Sequence, residues 1–264
     1  MYKYQETIIY KDELNDDFGN TIHHNHPLPE KYKIYSKNFF IVIFNFIFYW
    51  IVVRPIAFLY MKIKFHYKIK NKKEIKKLRN KGYLIFANHA LIIGDAFGLN
   101  MVDYRKRNYI LTGPEVSSLT KILHLLRGIG SLPVTSSLKR NVELSNAMKY
   151  ILKNKRNTIT IFPEAHIWPY YTKIRNFRYE SFKYAIQFDV PVVVLTNVFN
   201  KKRFGKTPKI TGYLSQVLYP DKTLNKKDAA IKLRDETYNI MVEYSKYSNY
   251  EYYNYIKKEE NINE

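Results

Sequence analysis

From residue 82 onward, short apolar runs alternate with helical spacings, and that alternation confines the chain to an α/β architecture. The runs fall at 83–87, 109–112, 131–134, 158–162, 190–196 and 210–218. Between them Leu119, Ile122, Leu123 and Leu126 recur at three- and four-residue intervals, as do Leu144, Ala147, Met148, Ile151 and Leu152. Phe182, Ala185 and Ile186 mark a third helix, and residues 226–244 carry a last one. Strands separated by helices pair in parallel through crossovers, so the predicted fold is a central, mostly parallel sheet flanked by helices. No internal repeat is visible.

The part before residue 82 has a different character. Residues 1–38 read as a polar lead-in, with Asp12, Glu13, Asp16 and Asp17 making its start acidic. His23-His24-Asn25-His26 has metal-binding residue types, but no second ligand set at the required spacing accompanies it, and no metal is expected. Residues 39–53 are apolar except for Asn45, Arg54-Pro55 interrupts, and Ile56 to Met61 resumes. Fifteen residues fall short of the roughly 20 that a spanning helix needs. A proline after the break suggests two helical pieces at an angle. The leading expectation is an N-terminal hydrophobic helical hairpin lying in a membrane interface; a true span and a buried core helix are the alternatives. The domain plan is therefore a lead-in (1–38), a membrane-associating segment with its basic flank (39–81), the α/β domain (82–246) and a tail (247–264). That tail is a Tyr/Asn/Glu/Lys run without periodicity, expected to fray.

Charge narrows the partners. Lys and Arg number 44 against 23 Asp and Glu, a formal +21. Ten of the cations lie within residues 61–81, directly after the most hydrophobic stretch. A basic cluster in that position gains roughly 1 kcal/mol per residue at an anionic lipid surface. A membrane surface is thus the expected partner, and no nucleic acid is expected, since no RNA- or DNA-binding signature is present. The chain has no cysteine, which excludes disulfides, thiolate metal sites and a cysteine nucleophile. No signal peptide is evident at the polar, acidic start, and the cytoplasmic face of a membrane is the expected location.

Two of the apolar runs end in polar groups suited to catalysis. Tyr83 to Ala87 opens into Asn88-His89, with Asp95 six residues beyond the histidine, and Thr158 to Phe162 ends in Pro163-Glu164. Strand ends that deliver such groups are the usual plan of an α/β active site. A histidine can take a proton from an alcohol while a carboxylate fixes its tautomer and stabilises the imidazolium. A serine hydrolase would also need a G-x-S-x-G elbow, and there is none. The hydroxyl is then expected to belong to a substrate, and the expected reaction is direct acyl transfer from a thioester without a covalent enzyme intermediate.

These residues bring the chain close to a known family. Asn88-His89…Asp95 followed by Phe162-Pro163-Glu164 resembles the glycerophospholipid acyltransferases of the 1-acylglycerol-3-phosphate acyltransferase group. That family carries N-H-x4-D, G-x-I-F-I-D-R-like, F-P-E-G-T-R and V-P-V-x-P-like blocks in this order. Their counterparts here are His89/Asp95, Gly130-Ser131-Leu132-Pro133-Val134, Phe162-Pro163-Glu164-Ala165 and Val190-Pro191-Val192-Val193-Val194. The resemblance spans roughly residues 40–215. The departures are an x5 spacing between His89 and Asp95, Ser136 where the second block ends in arginine, and Ala165 in place of glycine in the third.

The resemblance implies an O-acyltransferase that uses acyl-CoA or acyl-carrier protein as co-substrate, needs no cofactor, and acylates a lysophospholipid or glycerol-phosphate-type acceptor. His89 would be the base and Asp95 its partner, with Gly94 expected to allow an unusual backbone angle that returns the carboxylate to the ring. Gly130 and the amides around it would shape the floor of the site, with Asn88 also among the substrate-binding residues. Glu164, with Arg175 and Lys173 or Arg140, would hold the acceptor head group. Trp168, Tyr170 and Tyr171 could line a channel or simply pack. The alternative function is a catalytically impaired relative that binds lipid or serves as a scaffold, should the x5 spacing misplace Asp95. His89–Asp95 geometry separates the two.

Overall fold

The computed structural model describes residues 6–19 and 27–258, so the histidine triplet at 23–26 lies outside the described residues. In chain order the elements are β1 (Glu6–Tyr10), α1 (Phe39–Ile47), a π-helical segment (Phe48–Val53), α2 (Arg54–Phe65), β2 (Lys68–Lys70) and β3 (Tyr83–Ala87). There follow α3 (Gly94–Leu99), β4 (Arg107–Thr112), α4 (Leu123–Gly128), β5 (Ser131–Pro133), α5 (Leu138–Lys153) and β6 (Asn157–Ile161). The chain continues through α6 (Lys183–Phe188), β7 (Val192–Asn200), β8 (Lys209–Leu214), α7 (Lys226–Ser245) and β9 (Tyr253–Lys257).

Seven strands form one sheet in the order β2-β8-β7-β3-β6-β4-β5. Only the β7–β8 pair is antiparallel. The sheet is therefore mostly parallel, and both faces are covered, which is why β3 and the first half of β7 read as unbroken apolar runs. Alternation along β3 divides the core: Leu84 and Phe86 join Leu144, Met148 and Met241 beneath α5 and α7. Tyr83, Ile85 and Ala87 point the other way, against Leu99, Val102 and Leu78.

The apolar segment is not a hairpin. Phe39–Phe65 is one continuous helix of 27 residues, about 40 Å long. Pro55 fails to break it because the chain winds wider just ahead: the Arg54 N–H bonds to the Tyr49 carbonyl, five residues back. Pro55 then sits in the first turn of α2, where a missing N–H costs little. The helix docks along one side. Tyr49, Ala57, Met61 and Phe65 are buried, whereas Phe40 is 80 % exposed and Ile63 73 %. Arg54 spans to the domain, donating to the Tyr104 and Asn100 carbonyls while stacking on Trp50.

The lead-in and the tail also depart from expectation. Leu28, Tyr32 and Ile34 enter the main core. β1 pairs in parallel with β9, so the two ends of the chain meet in a second, two-stranded sheet. Tyr10, Phe18 and Tyr255 gather there around Trp168, with Tyr255 stacked on its ring at 5.1 Å.

Candidate active site

β3 and β6 are adjacent and parallel, with Phe86 opposite Ile161. Their carboxyl ends therefore release His89 and Phe162-Pro163-Glu164 side by side. The His89 ring stacks on Phe162 at 4.2 Å between centroids. Its Nδ1 lies 2.9 Å from Asp95 Oδ2. The same oxygen accepts the backbone N–H groups of Ala90 and Leu91, each at 2.8 Å. Asp95 thus closes the turn that carries the histidine and holds the ring at once. The extra residue is absorbed by this turn. Gly94 does not use a left-handed angle; it begins α3, and its lack of a side chain makes room for Leu91, whose Cβ would lie 3.1 Å from an added methyl.

Asn197 completes the arrangement and was not foreseen from sequence. Its Nδ2 donates to Asp95 Oδ1 at 3.3 Å, and its Oδ1 accepts the Tyr67 hydroxyl at 2.8 Å. Burial raises the Tyr67 phenol, which keeps it a donor. The available signal was an asparagine inside the apolar run of β7, since a buried amide needs partners. Asn88 turns out to serve the scaffold: its side chain accepts the Asn197 N–H at 2.8 Å and donates to the Asn197 carbonyl at 3.1 Å. It ties the end of β3 to β7.

Glu164 holds backbone as well. Its Oε2 accepts the His89 N–H at 3.2 Å and Arg175 Nη2 at 3.3 Å, and its Oε1 accepts the Arg175 N–H at 3.3 Å. Burial pushes the Glu164 carboxyl up, against the pull of the Arg175 guanidinium and these two amides. Arg175 is fully buried; it also donates to the His166 carbonyl and lies over the Trp168 ring. The third block therefore fixes the backbone under the histidine. Ala165, where the family has glycine, sits at φ 63.

His89 and Asp95 face a cavity of about 850 Å³, a size that suits a substantial ligand. Leu126, Ile129, Val134 and Phe177 supply apolar wall, and the cavity reaches Val53 of the N-terminal helix. Arg178 is the one Lys or Arg among its described lining residues. Arg140 is not there: it pairs with Glu143 at 2.6 Å and caps the Pro29 carbonyl. Lys173 is exposed on the loop outside the cavity, and Arg175 is sequestered by Glu164. Gly130 is a turn residue at φ 102 whose N–H is spent on the Arg127 carbonyl, while its neighbours Ile129 and Ser131 form wall. Trp168, Tyr170 and Tyr171 pack beneath the terminal strands and do not line it. His166 does, and His124 instead leans on Tyr32.

With Nδ1 engaged by the carboxylate, Nε2 is the ring nitrogen able to accept a proton from a group in the cavity. Among the described residues no serine or threonine hydroxyl bonds to the ring. The arrangement can activate a hydroxyl brought by a substrate.

Residues 66–196 match the family model Acyltransferase. Among solved structures, the chain is similar to the 1-acyl-sn-glycerophosphate (LPA) acyltransferase PlsC from Thermotoga maritima, with a TM-score of 0.54 at 14 % identity. The likeness covers 78 % of this chain and 87 % of that one, and at this identity it speaks for the fold. No curated protein matches the sequence significantly.

Proposed function

We propose, from the Acyltransferase family match over residues 66–196 and the motif blocks within it, that the chain is a membrane-associated O-acyltransferase of the glycerophospholipid acyltransferase type, working at the cytoplasmic face. It moves a fatty acyl group from acyl-CoA or acyl-carrier protein to a hydroxyl of a lysophospholipid or glycerol-phosphate-type acceptor. The observation that carries this reading is the 2.9 Å approach of His89 Nδ1 to Asp95 Oδ2 across an x5 spacing. The scaffold alternative required that pair to fall apart.

In the proposed reaction the acceptor hydroxyl gives its proton to His89 Nε2, and the oxygen attacks the thioester carbonyl. Collapse of the tetrahedral intermediate forms the ester and breaks the C–S bond. The departing thiolate takes the proton back from the imidazolium, which Asp95 has stabilised. Phe162, stacked on the ring, and Glu164, bonded to the His89 N–H, keep the histidine in place. Apolar walls receive acyl chains. Arg178 is the cation positioned for an acceptor phosphate, replacing the residues expected from sequence. The N-terminal helix, docked along one side and apolar on the other, supports a position in the membrane interface, where lipid acceptors reside.

The test is product formation. Full-length protein is incubated with palmitoyl-CoA or palmitoyl-acyl-carrier protein and a panel of lysolipids and glycerol 3-phosphate, and products are read by mass spectrometry. An acylated product mass is expected with at least one acceptor. No transfer to any of them from either donor would contradict the reading.

A further inference from the structure

A second cavity, of about 460 Å³, lies between the N-terminal helix and the domain. Arg105, Arg107, Arg127 and Arg156 line it, and no carboxylate does. None of the four has a carboxylate within ion-pair range among the described residues. Arg107 and Arg127 are anchored through one terminal nitrogen each, to the Gly128 and Lys33 carbonyls. The buried Nε of both finds no partner. Four like charges converging on one space repel one another, and an entering anion relieves that while offering oxygens to guanidinium forks.

The remaining wall shows what carries the anion. Val42, Phe46 and Trp50 of the N-terminal helix form one side, following a stripe along it. Phe46 is 54 % exposed, and the same helix continues outward into Phe44, Ile43 and Ile47. A charged recess opening onto an unbroken apolar surface matches an amphiphile, with its phosphate inside and its chains along the helix. Ser131 lines both cavities, but the arginines lie away from the catalytic centre. Arg107 and Asn157 open β4 and β6, whereas His89 and Glu164 follow strand carboxyl ends, a strand length of about 17 Å away.

We propose that this arginine cavity binds the phosphate of an anionic diacyl phospholipid and so seats the enzyme on an anionic membrane. The inference stands independently of acyl transfer, because its test reads binding. Calorimetric titration of the full chain uses dihexanoyl phosphatidylglycerol, dihexanoyl phosphatidylcholine and inorganic phosphate, each below any micelle concentration. Phosphatidylglycerol is expected to bind saturably and about tenfold or more tighter than either other probe. The double substitution Arg105→Gln/Arg156→Gln removes two exposed guanidiniums that hold no fold contacts across the cavity, and it should weaken that binding at least about tenfold. Lys226→Gln/Lys227→Gln removes equal charge on α7 and should leave it unchanged. Unaltered affinity in the arginine variant, equal loss in the lysine variant, or phosphatidylglycerol binding no tighter than phosphatidylcholine would each overturn the proposal. Phosphate binding as tightly as the lipid would also overturn it, identifying a free-anion site instead.

Discussion

Asp95 shows how much one side chain can organise. Its Oδ2 takes two backbone amides and the histidine ring, so the turn and the His89–Asp95 pair form together. The motif was legible because its members are near in sequence. Asn197 and Tyr67, which brace the other carboxylate oxygen, come from distant segments and were not. The displaced arginine misled for a related reason: spacing shows that Arg175 follows Glu164 but not that their pairing is internal and buried. Ala165 gives a residue-scale prediction. At φ 63 its Cβ crowds the backbone, a conformation that costs a non-glycine residue about 1 kcal/mol. Ala165→Gly should therefore raise the unfolding free energy by about 1 kcal/mol in urea titrations. A lower value in the variant would show that the left-handed conformation is not strained here.

Among the elements, the parallel strands and the helices α5 and α7 fall close to where apolar periodicity placed them. Periodicity reports burial on one or two faces, and these elements have it. The pairing of β1 with β9 joins residues 6–10 to residues 253–257, a closure to which no local pattern points. The N-terminal helix fails as a hairpin for a different reason. Proline predicts a break in an α-helix, but the wider winding at Phe48–Val53 delivers Pro55 to a first turn. One consequence is mechanical: Met61 and Phe65 of that helix pack in the same cluster as Ala90 and Leu91 of the histidine turn. The element proposed to meet the membrane touches the turn that carries the proposed base.

At the scale of the whole molecule, charge and tyrosine content both matter. Ten of the 44 cations, against one acid, fall within residues 61–81, which overlap and follow the end of the exposed apolar helix. Of the 25 tyrosines five are buried among the described residues, and burial holds the Tyr32 phenol up to about 12. An unfolded tyrosine ionises near 10, so between pH 10 and 12 the unfolded state has lost a proton that the folded state keeps. Stability from this group is therefore complete below pH 10 and falls as pH rises. Tyr32 has no hydrogen-bond partner for its hydroxyl among the described residues, so Tyr32→Phe should cost little at pH 8. By pH 12 the variant should be more stable than its parent by about 1–2 kcal/mol. Stability curves that stay parallel across that range would speak against a buried, protonated phenol.

The central claim is that His89 acts as the base for acyl transfer, and the initial rate of His89→Ala tests it most directly. Parent and variant are compared with the acceptor that the parent acylates, at saturating donor, alongside their melting curves. The account predicts a loss of about a hundredfold or more in turnover with melting unchanged. A folded variant that turned over at the parental rate would contradict it.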